Sequence, residues 1–222
     1  MYVVITGASR GIGLELVRAG LEKGHQVLGI ARRPHESVEL MALSEKYKSL
    51  SILQLDILSP DAVEEIKEKI TLWPCVDVLV NNAGIYLDTE KVEDFEKSFL
   101  TNTIKPFFLT KGLMPLLKKS ERPLSLQISS QMGSLNDNTS GGAYSYRASK
   151  AALNMLFKSL AIDESWLISL LVHPGWVRTR MGGDGAPILP EESAEGIWKI
   201  IEGATLSRSG QFLNFRQESL PW

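Results

Sequence analysis

The first 31 residues restrict the fold more than any other stretch. Tyr2-Val3-Val4-Ile5-Thr6 is a short apolar run rich in β-branched residues, and it enters Thr6-Gly7-Ala8-Ser9-Arg10-Gly11-Ile12-Gly13. Leu14, Leu16, Val17 and Leu21 then recur at helical spacing up to a stop at Gly24, and Gln26 to Ala31 reads as a second strand. A strand, a glycine-rich turn, a helix and a strand within about 30 residues make the unit that holds a dinucleotide. Gly7 permits the tight exit from the strand. Gly11 and Gly13 let backbone and helix approach a pyrophosphate, toward which the first-turn amides point. The spacing, Gly7-x3-Gly11-x-Gly13, is not the common G-x-G-x-x-G.

The alternation continues along the chain. Ser37 to Tyr47 reads as a helix and Leu50 to Leu55 as a strand. Ser59-Pro60 is an N-cap followed by proline at the first helical position, opening a helix to about Ile70. Val76 to Val80 is a strand. Glu90 to Lys119 is a long helical region in which Pro106 and Pro115 predict a bend or break. Leu124 to Ser129 is a strand, Ala143 to Asp163 a helix, Leu167 to His173 a strand, Pro190 to Gly203 a helix and Gln211 to Leu213 a last short strand. Helices alternating with continuously apolar strands predict an α/β fold, a three-layer doubly wound parallel sheet of the Rossmann type. The 222 residues are expected to form one domain.

Composition narrows the function classes. A net charge of −2 gives no reason to expect a nucleic acid or a membrane surface as partner. No apolar run approaches the roughly 18 residues of a membrane span. Cys75 is the only cysteine and the histidines (His25, His35, His173) are scattered, so neither an intrachain disulfide nor a metal site is expected. Tyr2-Val3-Val4-Ile5 already reads as a strand, so no leader is expected, and a reducing cytoplasm is the expected compartment.

Gly142-Ala143-Tyr144-Ser145-Tyr146-Arg147-Ala148-Ser149-Lys150 carries the chemistry. If it opens the following helix, Tyr146 and Lys150 stand at i and i+4 and project from one face. A tyrosine ordinarily ionises near about 10. A cation held close favours the phenolate, so this pair predicts a general acid whose pKa is moved toward neutrality. Strand two ends in Gly29-Ile30-Ala31-Arg32-Arg33, with no carboxylate to take a ribose 2′-hydroxyl. Arg32, and Arg10 within the loop, suit a 2′-phosphate instead.

Further segments occur in an order that resembles the short-chain dehydrogenase/reductase family. They are the Thr6–Gly13 loop, Leu55-Asp56-Ile57, Asn81-Asn82-Ala83-Gly84, Asn102, Ile128-Ser129-Ser130, Tyr146-x3-Lys150 and Pro174-Gly175-Trp176-Val177-Arg178-Thr179. Within the family, His173 to Thr179, Met181-Gly182-Gly183, Ala186-Pro187, Ser130-Gln131-Met132-Gly133-Ser134 and Pro221-Trp222 resemble the C-factor-like or sniffer-type carbonyl reductase branch. The resemblance implies a reductase that takes hydride to an aldehyde or ketone, with NADP(H) preferred over NAD(H). It implies Ser130, the second serine, as a hydrogen-bond donor to the carbonyl, Tyr146 as proton donor, Lys150 as its pKa modifier and ribose ligand, and Asn102 as holder of a relay water. It also implies a cofactor site built from Gly7, Ser9, Arg10, Gly11, Ile12, Gly13, Arg32, Asp56, Ile57, Asn82, Ala83, Gly84, Tyr146, Lys150, Pro174, Gly175, Val177 and Thr179. The glycine-rich residues at about 180–190 would form a short, mobile substrate lid, with Trp176 either lining the site or packed in the core.

Arg180 departs from the branch, which has an acidic residue there, and this touches substrate preference. Relatives often dimerise through the long helix after strand four and the helix after Tyr146, so the resemblance implies a homodimer or homotetramer. An alternative reading is an NADP(H)-binding regulatory or signalling protein with little turnover. Such proteins lose the Tyr–Lys pair, which is present here. A nucleotide-sugar epimerase is a poorer fit, because only about 40 residues follow Met181, too few for its substrate domain.

Overall fold

A computed structural model describes residues 1–222. The strands are β1 (Tyr2–Thr6), β2 (Gln26–Ala31), β3 (Leu50–Gln54), β4 (Val78–Asn81), β5 (Leu124–Ile128), β6 (Ile168–His173) and β7 (Phe212–Asn214). All pair in parallel, in the order β3-β2-β1-β4-β5-β6-β7. The helices are α1 (Gly11–Glu22), α2 (Val38–Lys46), α3 (Ala62–Lys69), α4 (Val92–Phe99), α5 (Lys105–Leu117), α6 (Tyr144–Asp163) and α7 (Pro190–Glu202). None is long and apolar enough to cross a membrane.

Strand side chains alternate between two apolar layers, as the pleat requires. Val3, Ile5, Val78, Val80, Leu124, Leu126, Ile168 and Leu170 pack with α1, α2 and α7. Val4, Leu28, Leu79 and Leu171 pack with α3, α5 and α6 on the other face. Both faces are covered, which is why the strands read as continuous apolar runs. Trp198 of α7 is fully buried and donates its indole N–H to the Leu16 carbonyl of α1 at 3.0 Å, locking that layer.

The strand order reverses between β1 and β4, and an open parallel sheet binds ligands at the carboxyl ends flanking such a reversal. Register sets Val4 of β1 opposite Leu28 of β2 and Leu79 of β4, so Gly7 and Asn82 leave the sheet side by side.

One local expectation changes. α3 starts at Ala62, after Asp61, and not at Pro60. The Ser59 hydroxyl accepts from the Asp61 N–H at 3.3 Å, and the Ser59 N–H donates to Asp56 O at 2.9 Å. Ser59-Pro60 is therefore a turn leading to the helix. The α-helical path from Val92 to Leu117 is interrupted just before Pro106, which stands in the first turn of α5. Leu100–Ile104 forms a π-helical turn in which Lys105 N–H reaches back to Leu100 O. Pro106 has no N–H for the Asn102 carbonyl four residues back and its ring crowds that carbonyl, so the preceding turn widens instead. Pro115 falls in the last turn of α5.

Candidate active site

The loop after β1 is shaped from β4. Asn82 Nδ2 donates to Thr6 O at 2.9 Å and Gly7 O at 3.1 Å, and Thr6 Oγ1 accepts from the N–H groups of Asn82 and Ala83, each at 3.0 Å. Asn82 and Ala83 thus act on the loop itself. Gly7 adopts φ +71°, the left-handed region that side chains avoid. At Gly13 a Cβ would lie 2.2 Å from Gly7 O and 2.4 Å from Asn82 Nδ2, so only glycine lets α1 start against the loop.

α1 has no side-chain cap and no acidic residue in its first turn. Its orphan N–H donors face the crevice with the helix dipole behind them. Arg10 and Arg32 are exposed beside them, while Arg33 turns away to Glu36 at 3.3 Å. Free amides and guanidiniums, with no carboxylate in the first turn, fit a phosphorylated dinucleotide. Ser9 and Ile12 are partly exposed on this loop. After β3, the exposed Asp56 accepts from Leu58 N–H at 3.0 Å with one carboxylate oxygen, and Ile57 beside it is buried.

α6 begins at Tyr144, one residue later than expected, after Gly141, Gly142 and Ala143, which all have positive φ. Tyr146 and Lys150 are buried, at 8% and 5% exposure. Tyr146 packs its ring edge-on to Tyr86, with centroids 4.9 Å apart. Lys150 Nζ lies 5.8 Å from the Tyr146 ring centroid and donates to Ile128 O, at the end of β5, at 2.8 Å. The titration behaviour reverses the expected sign. Burial pushes Tyr146 up to about 12, opposed by a hydrogen bond from Ser130 and aided by Tyr86. Burial pushes Lys150 down to about 8. A cation 5.8 Å from the ring, engaged by a carbonyl, does not offset the desolvation of the phenolate.

The adjacent serines have different partners. Ser129 Oγ donates to buried Asn154 Oδ1 at 2.6 Å, whereas Ser130 Oγ accepts from Met132 N–H at 3.2 Å and lies beside the Tyr146 hydroxyl. Asn102, on the π turn, spends its side chain on structure. It accepts from Ile85 N–H at 2.8 Å and donates to Ile85 O at 2.9 Å and Ser149 Oγ at 3.1 Å. Gly84 follows Ala83 on the same stretch, which Asn102 thereby fixes.

A cavity of about 640 Å³ joins these parts. Ile12 of the glycine loop, Ser130, Tyr146, and Pro174, Gly175, Val177 and Thr179 after β6 all line it. Trp176 lines it too, 58% exposed, with its indole N–H on Gly182 O at 2.8 Å, so it is not a core residue. The residues 180–190 are tied back by Arg178 N–H to Ile188 O at 2.8 Å, Gly183 N–H to Thr179 O at 2.8 Å and Arg178 Nε to Ala186 O at 3.1 Å. Sequence reading did not assign Tyr86, Met132, Asp137, Arg147 and His173 to the wall. Arg147 had a signal, being next to Tyr146 on the helix. Its guanidinium holds Gly141 O at 3.1 Å, Met132 O at 3.4 Å and Ser140 Oγ at 2.8 Å. The others join the site only through the tertiary fold.

The model of the short chain dehydrogenase family matches residues 1–186. The chain belongs to that family. Among solved structures, this short-chain dehydrogenase is similar to the carbonyl reductase Sniffer of D. melanogaster, with a TM-score of 0.93, 33% identity, and 100% and 99% of the two chains covered. It is also similar to a carbonyl reductase from Pseudomonas aeruginosa PAO1 in complex with NADP, with a TM-score of 0.86, 37% identity, and 100% and 99% covered. Among curated proteins it is 38% identical over 154 residues to the C-signal of Myxococcus xanthus, covering 66% of this chain and 93% of that protein. The short-chain dehydrogenase described here is therefore an oxidoreductase of the sniffer and C-factor-like branch.

Proposed function

We propose that this short-chain dehydrogenase reduces an aldehyde or ketone to an alcohol with NADP(H), preferred over NAD(H), with Tyr146 as general acid. The observation that carries the reading is the placement of the Ser130 and Tyr146 hydroxyls on one cavity wall that Ile12 and Pro174–Thr179 also line. NADPH, when bound, would supply the hydride. Arg10 and Arg32 would take its 2′-phosphate, and the α1 amides its diphosphate.

Ser130 has its oxygen on Met132 N–H and its hydroxyl beside that of Tyr146, so its hydrogen would turn from Tyr146 to the carbonyl oxygen when substrate enters. Tyr146, held protonated by burial, donates its proton to the oxygen as negative charge develops there. Lys150 Nζ, 5.8 Å from the ring centroid and donating one hydrogen to Ile128 O, would hold the nicotinamide ribose with its remaining hydrogens and raise the acidity of Tyr146 once charge develops. The relay assigned to Asn102 would use its backbone carbonyl, to which Pro106 offers no N–H. Tyr86, Met132, Trp176 and Met181 give the cavity an apolar wall, with Asp137 and Arg147 opposite in character. Residues 180–190 would act as the substrate lid.

The test is NADPH oxidation with a panel of aldehydes, ketones and quinones. Tyr146→Phe should lower kcat by about 10² to 10⁴ and leave NADPH affinity intact. An unchanged kcat would remove Tyr146 from the chemistry. A second reading, an NADP(H)-binding signalling protein, draws on the likeness to the C-signal. NADPH binding without turnover across the panel would favour it. The exposed side chains Leu100, Ile104 and Phe108 on one side, and Met155 and Ile162 on α6, support a homodimer or homotetramer, which light scattering would measure.

A further inference from the structure

Beside the dinucleotide crevice, arginines stand in two close pairs, and in each pair one member is engaged. At the end of β2, Arg33 pairs with Glu36, while Arg32 makes no hydrogen bond or ion pair. After β6, Arg178 donates to Ala186 O at 3.1 Å, while Arg180 makes neither kind of contact. Arg10 in the glycine loop is also without a partner, and all three free arginines are exposed.

The chain path gathers them. A Cβ at Gly11 would lie 3.0 Å from Thr179 Cγ2, so the glycine loop packs against the Thr179 side chain, next to Arg180. Arg10 senses both neighbours. Its pKa is lowered first by burial, then by Arg180 and then by Arg32, with a weaker opposing pull from Glu36. Glu36 is already engaged by Arg33. Three exposed guanidiniums from three separate segments thus act on one another, and the one carboxylate that reaches Arg10 is already held by Arg33. Like charges so placed repel one another, and a phosphate dianion is their natural complement.

We propose that Arg180 is a third ligand, beside Arg10 and Arg32, for the 2′-phosphate of NADP(H), and so a residue that sets cofactor preference. This rests on the NADP(H) reading above. It moves Arg180 from the substrate side, where its departure from the branch pattern first placed it, to the cofactor side. The 2′-phosphate is favoured over the diphosphate because the other groups around Arg10, Arg32 and Glu36, belong to the region after β2 where the adenosine ribose is expected.

The experiment is a set of dissociation constants, read by fluorescence, for NADPH, NADH, 2′,5′-ADP and 5′-ADP. The proteins are the full chain and its Arg180→Ala, Arg180→Asp, Arg10→Ala and Arg32→Ala variants. Arg180→Ala should weaken NADPH and 2′,5′-ADP about tenfold, and NADH and 5′-ADP less than about twofold, the effect of losing one charge-assisted contact. Arg180→Asp should weaken the phosphorylated ligands further. Equal losses for NADPH and NADH would place Arg180 on the diphosphate and overturn the proposal, as would no loss for either. If Arg10→Ala and Arg32→Ala shift the NADPH-to-NADH ratio and Arg180→Ala does not, the Arg180 assignment alone fails. If none of the three shifts it, the NADP(H) reading fails as well.

Discussion

Asn102 grips Ile85 by both of its backbone polar groups, accepting from the N–H at 2.8 Å and donating to the carbonyl at 2.9 Å. The grip ties the π turn before α5 to the chain leaving β4, and the second Nδ2 hydrogen reaches Ser149 on α6. Asn102→Ala removes all three bonds at a buried position. It should cost about 2 kcal/mol, seen as a lower urea midpoint with an unchanged slope. Asn102→Asp keeps the acceptor but sets a carboxylate oxygen against the Ile85 carbonyl, so it should be no more stable. Wild-type stability in both variants would refute the structural role.

The two serines should separate cleanly. Ser129→Ala strands the buried Asn154 Oδ1, so it should cost about 1 kcal/mol while leaving kcat close to wild type. Ser130→Ala should leave the melting temperature nearly unchanged and lower kcat by about 10². Thermal melts and steady-state rates on both variants decide the matter, and exchanged phenotypes would mean that Ser129 faces the substrate.

Between neutral and moderately alkaline pH, Lys150 at about 8 changes charge, and Tyr146 at about 12 does not. The ammonium form exists below the Lys150 pKa. The kcat/KM for reduction should therefore be level below about pH 8 and fall above it. Lys150→Arg keeps its charge throughout this range, so whatever rate it retains should show no such fall. A limb that persists in Lys150→Arg belongs to another group.

His173 gives a test of stability against acid. Burial lowers its pKa from 6.5 to about 4, with Asp137 pulling weakly the other way. The unfolded chain binds the proton first, so the contribution is complete above pH 6.5 and is lost as pH falls through about 4. The loss is on the order of 3 kcal/mol. Denaturation of wild type and His173→Asn at several pH values should show the wild type losing more stability in that window. Parallel curves would assign acid sensitivity to other groups.

The glycine loop and the Tyr146–Lys150 pair were legible because each depends on spacing within one local element. Ser130 could be chosen over Ser129 from its place in the motif, and the structure gives the two hydroxyls different partners. Pro106 marked the interruption of the helical path but not its extent, because a proline's missing N–H is felt four residues earlier. The deformation therefore lies on Leu100–Ile104, where it carries Asn102. The sign of the Tyr146 shift was not legible, since it comes from how completely Tyr86 and the neighbouring strands exclude water around the phenol, a property of the folded whole. Arg180 could be noticed as unusual in the sequence, but the packing of Thr179 on Gly11, which brings its neighbour to the glycine loop, exists only in the fold.

The Asn82 amide that closes on Thr6 and Gly7 makes assembly of the sheet centre and shaping of the phosphate loop a single event. The loop takes its curvature from hydrogen bonds that exist only when β1 and β4 are paired. Folded molecules with a misshapen loop are therefore scarce, and affinity for a dinucleotide is not diluted by an incompetent fraction. The turn at Thr6 and Gly7 is set during folding, before any ligand arrives, so binding spends less of its free energy on shaping it.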